Sequence, residues 1–473
     1  MIVVESLINW SNTILWSYIL IALLVGLGIY FTFRTKFVQV TNLIEMIRLM
    51  KESPTTNNGN KQISSFGAFC ISAASRIGTG NLAGVAIAIT LGGPGAVFWM
   101  WVVAIFGAVL CFIESTLAQV YKVKETNGFK GGPAYYMEKA IGARWMGVMF
   151  AIFITFCFGL AFNSVQANTI TVAFEEALGT NRLVIGMVLT AFVGFVIFGG
   201  VKRIANVSQV IVPVLALLYL ILVTYIVIIN IGEIPRVIGL IVTSAFGLNE
   251  AIAGGIGAAI INGVKRGLFS NEAGMGSAPV AAATADVSHP AKQGFVQTLG
   301  AFVDTLLICS ATAFIILLSG IPGEGIGGIQ LTQSALASHV GPWASIFVAI
   351  AILLFCFSSI IGNYYYGESN IGFINENKTA IFVFRLAVLG MLLFGSVSSM
   401  SMVWNVADLF MAFMAITNLI ALALIGKIAI AVLKDYLKQK KQGKDPVFYA
   451  SNIKGLKNVE CWKDEEIKKH KEA

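Results

Sequence analysis

Apolar runs long enough to cross a membrane recur along almost the whole chain, separated by short polar stretches. A spanning helix needs about 20 apolar residues. Runs of that size lie at 13–33, 66–91, 95–121, 145–176, 182–200, 207–231, 252–284, 293–319, 343–362, 379–397 and 403–433. The pattern predicts about eleven spans. The stretches near 130–142 and 236–251 are shorter and mixed, and read as interfacial or re-entrant pieces. Gly131, Gly132 and Pro133 open the first of them.

One run departs from the pattern at its centre. Between Phe66 and Leu91 the chain carries Ser75, Arg76, Gly78, Thr79, Gly80 and Asn81: a charge, two helix-weakening glycines and three side-chain oxygens. A helix broken at membrane depth leaves N–H and C=O groups unpaired, at several kcal/mol each. Such a break persists where the freed groups meet a ligand, an ion, water or buried protein. The stretch 78–81 is therefore expected to bind something small and polar. An echo follows much later. Arg76 to Gly84 and Arg266 to Gly274 share the pattern Arg-x4-Asn-x-Ala-Gly, and Met275, Gly276, Ser277 and Pro279 follow the second copy. Paired interruptions in two halves of a membrane chain point to a transporter site built from inverted repeats. With 13–33 as an extra helix, residues 66–231 form one repeat and 252–433 the other, and the second break, five helices after the first, runs in the reverse direction. Close helix packing through small residues accounts for Gly92, Gly93, Gly254, Gly255 and Gly257. It does not account for Arg, Asn and Glu beside such glycines.

Composition agrees. Of 473 residues, 57% are hydrophobic and 12% charged, against about 25% charged in soluble domains. The fold class is an all-α polytopic membrane protein, with a membrane domain over 1–444 and a polar tail over 445–473. Five of the six cysteines (Cys70, Cys111, Cys157, Cys309 and Cys356) lie in apolar runs and Cys461 in the tail, so neither a disulfide framework nor a zinc site is indicated. No cleavable signal peptide is evident. The net charge of +8 resides mostly in flanking loops and the tail and does not indicate nucleic acid. Arg34, Lys36, Arg48, Lys51 and Lys61, then Lys122, Lys124 and Lys130, then Lys202 and Arg203, then Lys438, Lys440, Lys441 and Lys444 mark four segments that alternation places on one side. The loops near 92–94, 320–342 and 398–402 have no Lys or Arg. This predicts an outside N-terminus and a cytoplasmic C-terminus in the cell membrane.

The remaining polar residues in spans leave alternatives open. Glu114, Asp304 and Asp408 face potential counter-ions in Arg76, Arg266 and Arg385, as structural pairs or a proton relay. Asn163 and Gln166 share a helix face that borders a pocket or bonds between helices. Trp404 is a gate or an interfacial anchor. Three other function classes fare worse. A channel lacks a filter-like carbonyl run, an enzyme lacks a nucleophile–base pair or metal ligands, and a pump lacks a nucleotide-binding loop.

The strings Gly78 to Gly84, Gly92 to Trp101, Gly131 to Tyr136 and Asn271 to Pro279 resemble the alanine or glycine:cation symporter family, the prokaryotic sodium–amino acid symporters. The resemblance implies a five-plus-five inverted-repeat fold with broken first and sixth core helices. It also implies uptake of L-alanine or glycine, with D-alanine a further candidate, by alternating access coupled to sodium and without an enzymatic cofactor.

A zwitterion needs N–H donors and positive helix ends for its carboxylate, and carbonyl or hydroxyl oxygens for its ammonium. The first set is assigned to Gly78, Thr79 and Gly80, with Asn81, Gln166 and Asn168 beside them. Phe269, Ser270, Asn271, Gly274 and Met275 line the pocket from the second break, and bulky Phe269 and Met275 limit the substrate to a small side chain. By resemblance, a sodium ion, which prefers oxygen ligands, is placed at Ser358, Ser359 and the carbonyls of Ala74 and Ile77. The competing reading has the two serines bonding back along their own helix. A second sodium site would use Asn81 and Ser270 oxygens.

Overall fold

The computed structural model describes residues 2–54, 62–125, 128–198, 201–248, 255–323 and 326–462. Lys61, Gly254 and the end of the tail, 463–473, lie outside the described residues, as do the side chains of Lys202 and Arg203. Among the described residues, seven helices are long and apolar enough to cross a membrane: Ser6–Arg34, Gly95–Val120, Arg144–Leu178, Pro290–Ser319, Trp343–Ile374, Lys378–Val397 and Met400–Lys441. An eighth arises if Ala216–Ile229 and Ile231–Ala245, bent by 77°, make one span. The expected eleven exceeds that number for a physical reason. The run 66–91 is divided into Ser65–Arg76 and Gly80–Gly92, the run 252–284 into Gly255–Asn271 and Ala278–Ala283, and Arg182–Ile197 is short.

The N-terminal helix packs outside the two halves. Gly28 approaches Phe106 so closely that an added Cβ would stand 2.7 Å from its carbonyl oxygen. Asn12 and Trp16 donate to the carbonyls of Asn405 and Asp408 at 3.0 and 3.2 Å. Of the glycines expected to pack helices, Gly92 does so against Ala258, whereas Gly255 and Gly257 meet nothing within 4 Å.

Each half carries a short helix at the equivalent place. Pro133–Tyr136 follows the second core helix of the first half, and Ile329–Val340 that of the second. They sit at opposite ends of the span Arg144–Leu178. Lys139, just beyond the first, pairs with Glu460 at 3.1 Å, while Gln330 of the second reaches Glu176 at 2.8 Å. This is the inversion that the reversed second break requires.

The basic segments 34–62, 122–130 and 438–444 gather at one end. Lys440 pairs with Glu45 at 3.1 Å, and Lys292 with both Glu52 and Asp445. Residues 445–462, part of the polar tail, fold back on this end. Phe448 and Trp462 are buried, the Phe448 N–H donates to the Ser288 carbonyl at 2.9 Å, and the Trp462 indole donates to the Gln119 carbonyl at 2.8 Å. Two aromatic side chains supply the apolar area that a purely charged tail would lack.

Candidate transport site

The first break begins where Ser65–Arg76 ends. Ile77 leaves helical geometry at φ −81°, ψ 95°. In an unbroken helix the Gly78 N–H would bond to the Ala74 carbonyl. Here it donates to Asn81 Oδ1 at 2.9 Å. The next amide, Thr79 N–H, donates to Gln166 Oε1 at 3.1 Å, and the Thr79 hydroxyl reaches the same oxygen at 2.6 Å. Both glycines are spatially required. A Cβ at 78 would stand 2.3 Å from Ser359 Oγ, and one at 80 would stand 3.1 Å from Phe269 and from the Ser270 backbone.

Asn81 joins the two breaks. Its Nδ2 donates to Ser270 Oγ at 3.1 Å and to Asp304 Oδ1 at 2.7 Å, and Ser270 Oγ donates to Asp304 Oδ2 at 2.6 Å. Asp304 was only an unassigned carboxylate in the sequence. The helix Pro290–Ser319 brings it to the junction, where Thr305 adds a third donor at 3.1 Å. Cys309 and Cys356 also contact the junction, at Ser270 and Thr79 respectively, both at 3.1 Å. Their apolar surroundings in the sequence concealed this.

A lid of aromatic rings covers the pair of breaks. Phe269 packs between Phe162 and Trp404, with ring centres 4.4 and 4.6 Å away. The Arg266 guanidinium lies 4.4 Å from the Trp404 ring centre and is ion-paired with Asp408. Trp404 is therefore a buried component of the lid and not an interfacial anchor. Beyond it opens a cavity of about 240 Å³ lined in part by Ala83, Asn168, Thr169, Arg182 and Trp404. Asn168 borders this cavity, but its amide is committed to the carbonyls of Gly395 and Ser398 at 2.9 and 2.8 Å and meets neither break.

The remaining candidates divide. Ser359 Oγ stands 3.2 Å from the Ile77 carbonyl and 3.0 Å from that of Phe355. Ser358 bonds only back along its own helix, to Phe355 at 2.8 Å, while Ala74 is buried within Ser65–Arg76. At the second break Asn271 Oδ1 caps the Ala273 N–H at 3.0 Å, and its Nδ2 has no hydrogen-bond partner among the described residues. Gly274 faces Leu110 and Leu419, and Met275 is fully buried. The freed amides of Gly274 and Gly276 donate to the two oxygens of Glu114, at 3.2 and 3.1 Å, and Asn418 adds a bond at 2.8 Å. Glu114 is thus the anion that a nest of backbone N–H groups attracts. Arg385 pairs with Glu368 at 2.8 Å. Arg76 has no ion pair among the described residues. It is held by the Gln297 carbonyl and the Cys111 sulfur, both at 3.2 Å, in space kept open by Gly300.

Residues 1–450 match the family model described as the sodium:alanine symporter family. The chain belongs to this family. It is 57% identical over 97% of its length to the probable sodium/glutamine symporter GlnT of Bacillus subtilis (strain 168), covering 96% of that protein. It is 37% identical over 92% of its length to the sodium/alanine symporter AgcS of Methanococcus maripaludis, covering 98% of that protein. Among solved structures it is similar to a manganese transporter of Eremococcus coleocola, with a TM-score of 0.53 at 12% identity over 80% of this chain and 88% of that one. It is also similar to MhsT, solved with L-phenylalanine, with a TM-score of 0.51 at 14% identity over 79% of this chain and 98% of that one. Those two likenesses establish the fold, which has inverted repeats and two broken core helices. The chain is a multi-pass membrane symporter of the sodium-coupled amino acid class, and not an enzyme.

Proposed function

We propose that the chain imports small neutral amino acids, alanine and glycine, together with sodium, by alternating access. The observation that carries this reading is the junction itself. Two helix breaks meet through Asn81, Ser270 and Asp304 directly beneath a closed aromatic lid. The Gly78–Gly80 backbone with Gln166 is the substrate's polar receptor, and Ser359 with the Ile77 carbonyl forms part of the sodium site. The short distances around Gly78 and Gly80 favour a methyl group or hydrogen over a longer side chain. The basic end, with the C-terminus, is cytoplasmic. Rocking of the broken helices and their partners against Arg144–Leu178 and Trp343–Ile374 exposes the junction to each side in turn.

A second reading is glutamine. It is supported by the printed name of the 57% identical relative and by the cavity beyond Trp404, into which a longer side chain would extend. Uptake into proteoliposomes under a sodium gradient, with alanine, glycine and glutamine in competition, decides between them. Alanine uptake unchanged when choline replaces sodium would remove the sodium claim. Glutamine outcompeting alanine would transfer the substrate assignment.

A further inference from the structure

Residues 284–289 join Ala278–Ala283, the last piece of the second broken helix, to Pro290–Ser319. A connection at a membrane surface ordinarily faces water. This one does not. Every residue from Thr284 to His289 except Ser288 is buried, and Lys292 just beyond is 0% exposed. The folded-back tail lies against it. Asp445 pairs with Lys292 at 3.2 Å, the Pro446 carbonyl accepts from Ser288 Oγ at 2.9 Å, and the Phe448 ring centre is 5.2 Å from that of His289.

The other end of the same segment grips a different body. Asn458 Nδ2 donates to the Lys139 carbonyl at 2.9 Å, and Glu460 pairs with the Lys139 ammonium at 3.1 Å. Lys139 directly precedes Arg144–Leu178, on the stationary side of the proposed rocking motion. The segment also closes on itself: Phe448 and Trp462 have ring centres 5.5 Å apart, and the Ala450 N–H donates to the Trp462 carbonyl at 3.0 Å. Trp462 then reaches back to the moving side. Its ring centre lies 5.0 Å from Lys122 Nζ, within cation–π range, and Lys122 donates to the Ala285 carbonyl at 2.9 Å.

At this end runs the seam that opening toward the cytoplasm must part. A Cβ added at Gly132 would stand 2.9 Å from a Val280 methyl, and one at Gly276 would stand 2.8 Å from Phe150 on Arg144–Leu178. Tyr135 packs on Phe373 of Trp343–Ile374, with ring centres 4.9 Å apart. The turn at 131–136 therefore belongs with the stationary helices, and Ala278–Ala283 with the moving ones.

We propose that residues 445–462 are a strap across the cytoplasmic seam: they tie the connection 284–289 to Lys139, and the Phe448–Trp462 pair is the fastening that comes undone when the seam parts. The division into moving and stationary parts rests on the alternating-access reading. The strap is built to release. Its ion pairs end in carboxylates that are 62% and 45% exposed, at Asp445 and Glu460, and such pairs contribute little. What holds it is two aromatic rings, and freeing them leaves every membrane helix intact.

Cysteine accessibility of the purified protein in detergent tests the strap, in a Cys461→Ser background whose other five cysteines are buried. Val280→Cys reports the seam, and Val172→Cys, lining the cavity beyond Trp404, reports the opposite end. Trp462→Ala should raise the rate at which a water-soluble maleimide modifies Val280→Cys several-fold and lower the rate at Val172→Cys, because the two ends open in alternation. Phe448→Ala, which undoes the other half of the fastening, should do the same. Any other pattern overturns the proposal: two rates rising together are general loosening, and unchanged rates leave the tail without a hold on the seam. The alternating-access reading is checked apart from this, with Trp462 and Phe448 intact. Saturating sodium with alanine or glutamine should then shift the two rates in opposite directions. Absence of that opposition defeats alternating access, whereas its presence with rates indifferent to Trp462→Ala and Phe448→Ala defeats the strap alone.

Discussion

The two helix breaks share a sequence pattern and differ in what answers their freed backbone. At the first, Gly78 and Thr79 donate to neutral amide oxygens of Asn81 and Gln166. At the second, Gly274 and Gly276 donate to the carboxylate oxygens of Glu114. Hydrogen bonds to a charged acceptor are roughly twice as strong as neutral ones. A neutral side-chain oxygen can be exchanged for a ligand's carboxylate at little cost, whereas a buried carboxylate bound by three donors is a permanent cap. The first break is suited to binding and the second to holding the bundle together. The arginines repeat the contrast in reverse: Arg266 has its carboxylate in Asp408, while Arg76 rests on a carbonyl and a thiol.

The largest effect is expected from Glu114→Ala. It leaves two backbone amides and the Asn418 amide without their acceptor, and each unsatisfied buried donor costs about 1–3 kcal/mol. Thermal unfolding in detergent should show a loss of several kcal/mol, with Gln166→Ala much milder in the same assay. Comparable losses for the two variants would erase the distinction between a structural and a binding break.

Next in size is Gly80→Val. Overpacking against Phe269 and the Ser270 backbone costs about 1–3 kcal/mol, which converts to roughly 5- to 150-fold weaker sodium-dependent substrate binding. Gly274→Ala, at φ +80°, should lower stability and leave affinity within a few-fold once the protein is folded. Isothermal titration of both variants reads the difference, and equal losses of affinity would mean that the second break also lines the substrate.

Much of this architecture was legible in the chain because a membrane enforces it. Lipid tolerates polar backbone only inside protein, so Arg76 to Asn81 and Arg266 to Glu272 marked both interruptions and their pairing. The partners were harder to read. Asp304 and Glu114 arrive from helices far away in sequence from the breaks they meet, and periodicity on one helix does not say which neighbour its polar face meets. Asn271, Gly274 and Met275 were grouped with the pocket because they adjoin Ser270 in sequence. In three dimensions the left-handed turn at Glu272 carries Gly274 toward Glu114 and Leu110. The folding back of 445–462 was hidden for a similar reason, since its two anchors, Phe448 and Trp462, stand far apart in a segment otherwise rich in charge.

The smallest expected effect separates two adjacent hydroxyls on one helix. Ser358 and Ser359 both bond back to Phe355, but only Ser359 also reaches the Ile77 carbonyl where the first half-helix ends. A back-bonded hydroxyl removed from a helix interior costs little, since its carbonyl acceptor keeps its own helical partner. Ser358→Ala should therefore leave the sodium concentration for half-maximal uptake within about twofold, a change near 0.4 kcal/mol. Ser359→Ala removes an oxygen that faces the open end of the broken helix, where carbonyls lack intrahelical donors. It should raise that concentration roughly tenfold, about 1.4 kcal/mol, with substrate affinity at saturating sodium little changed. Equal shifts for both serines would extend the ion site to Ser358, and no shift for Ser359 would move the ion away from Ile77 altogether.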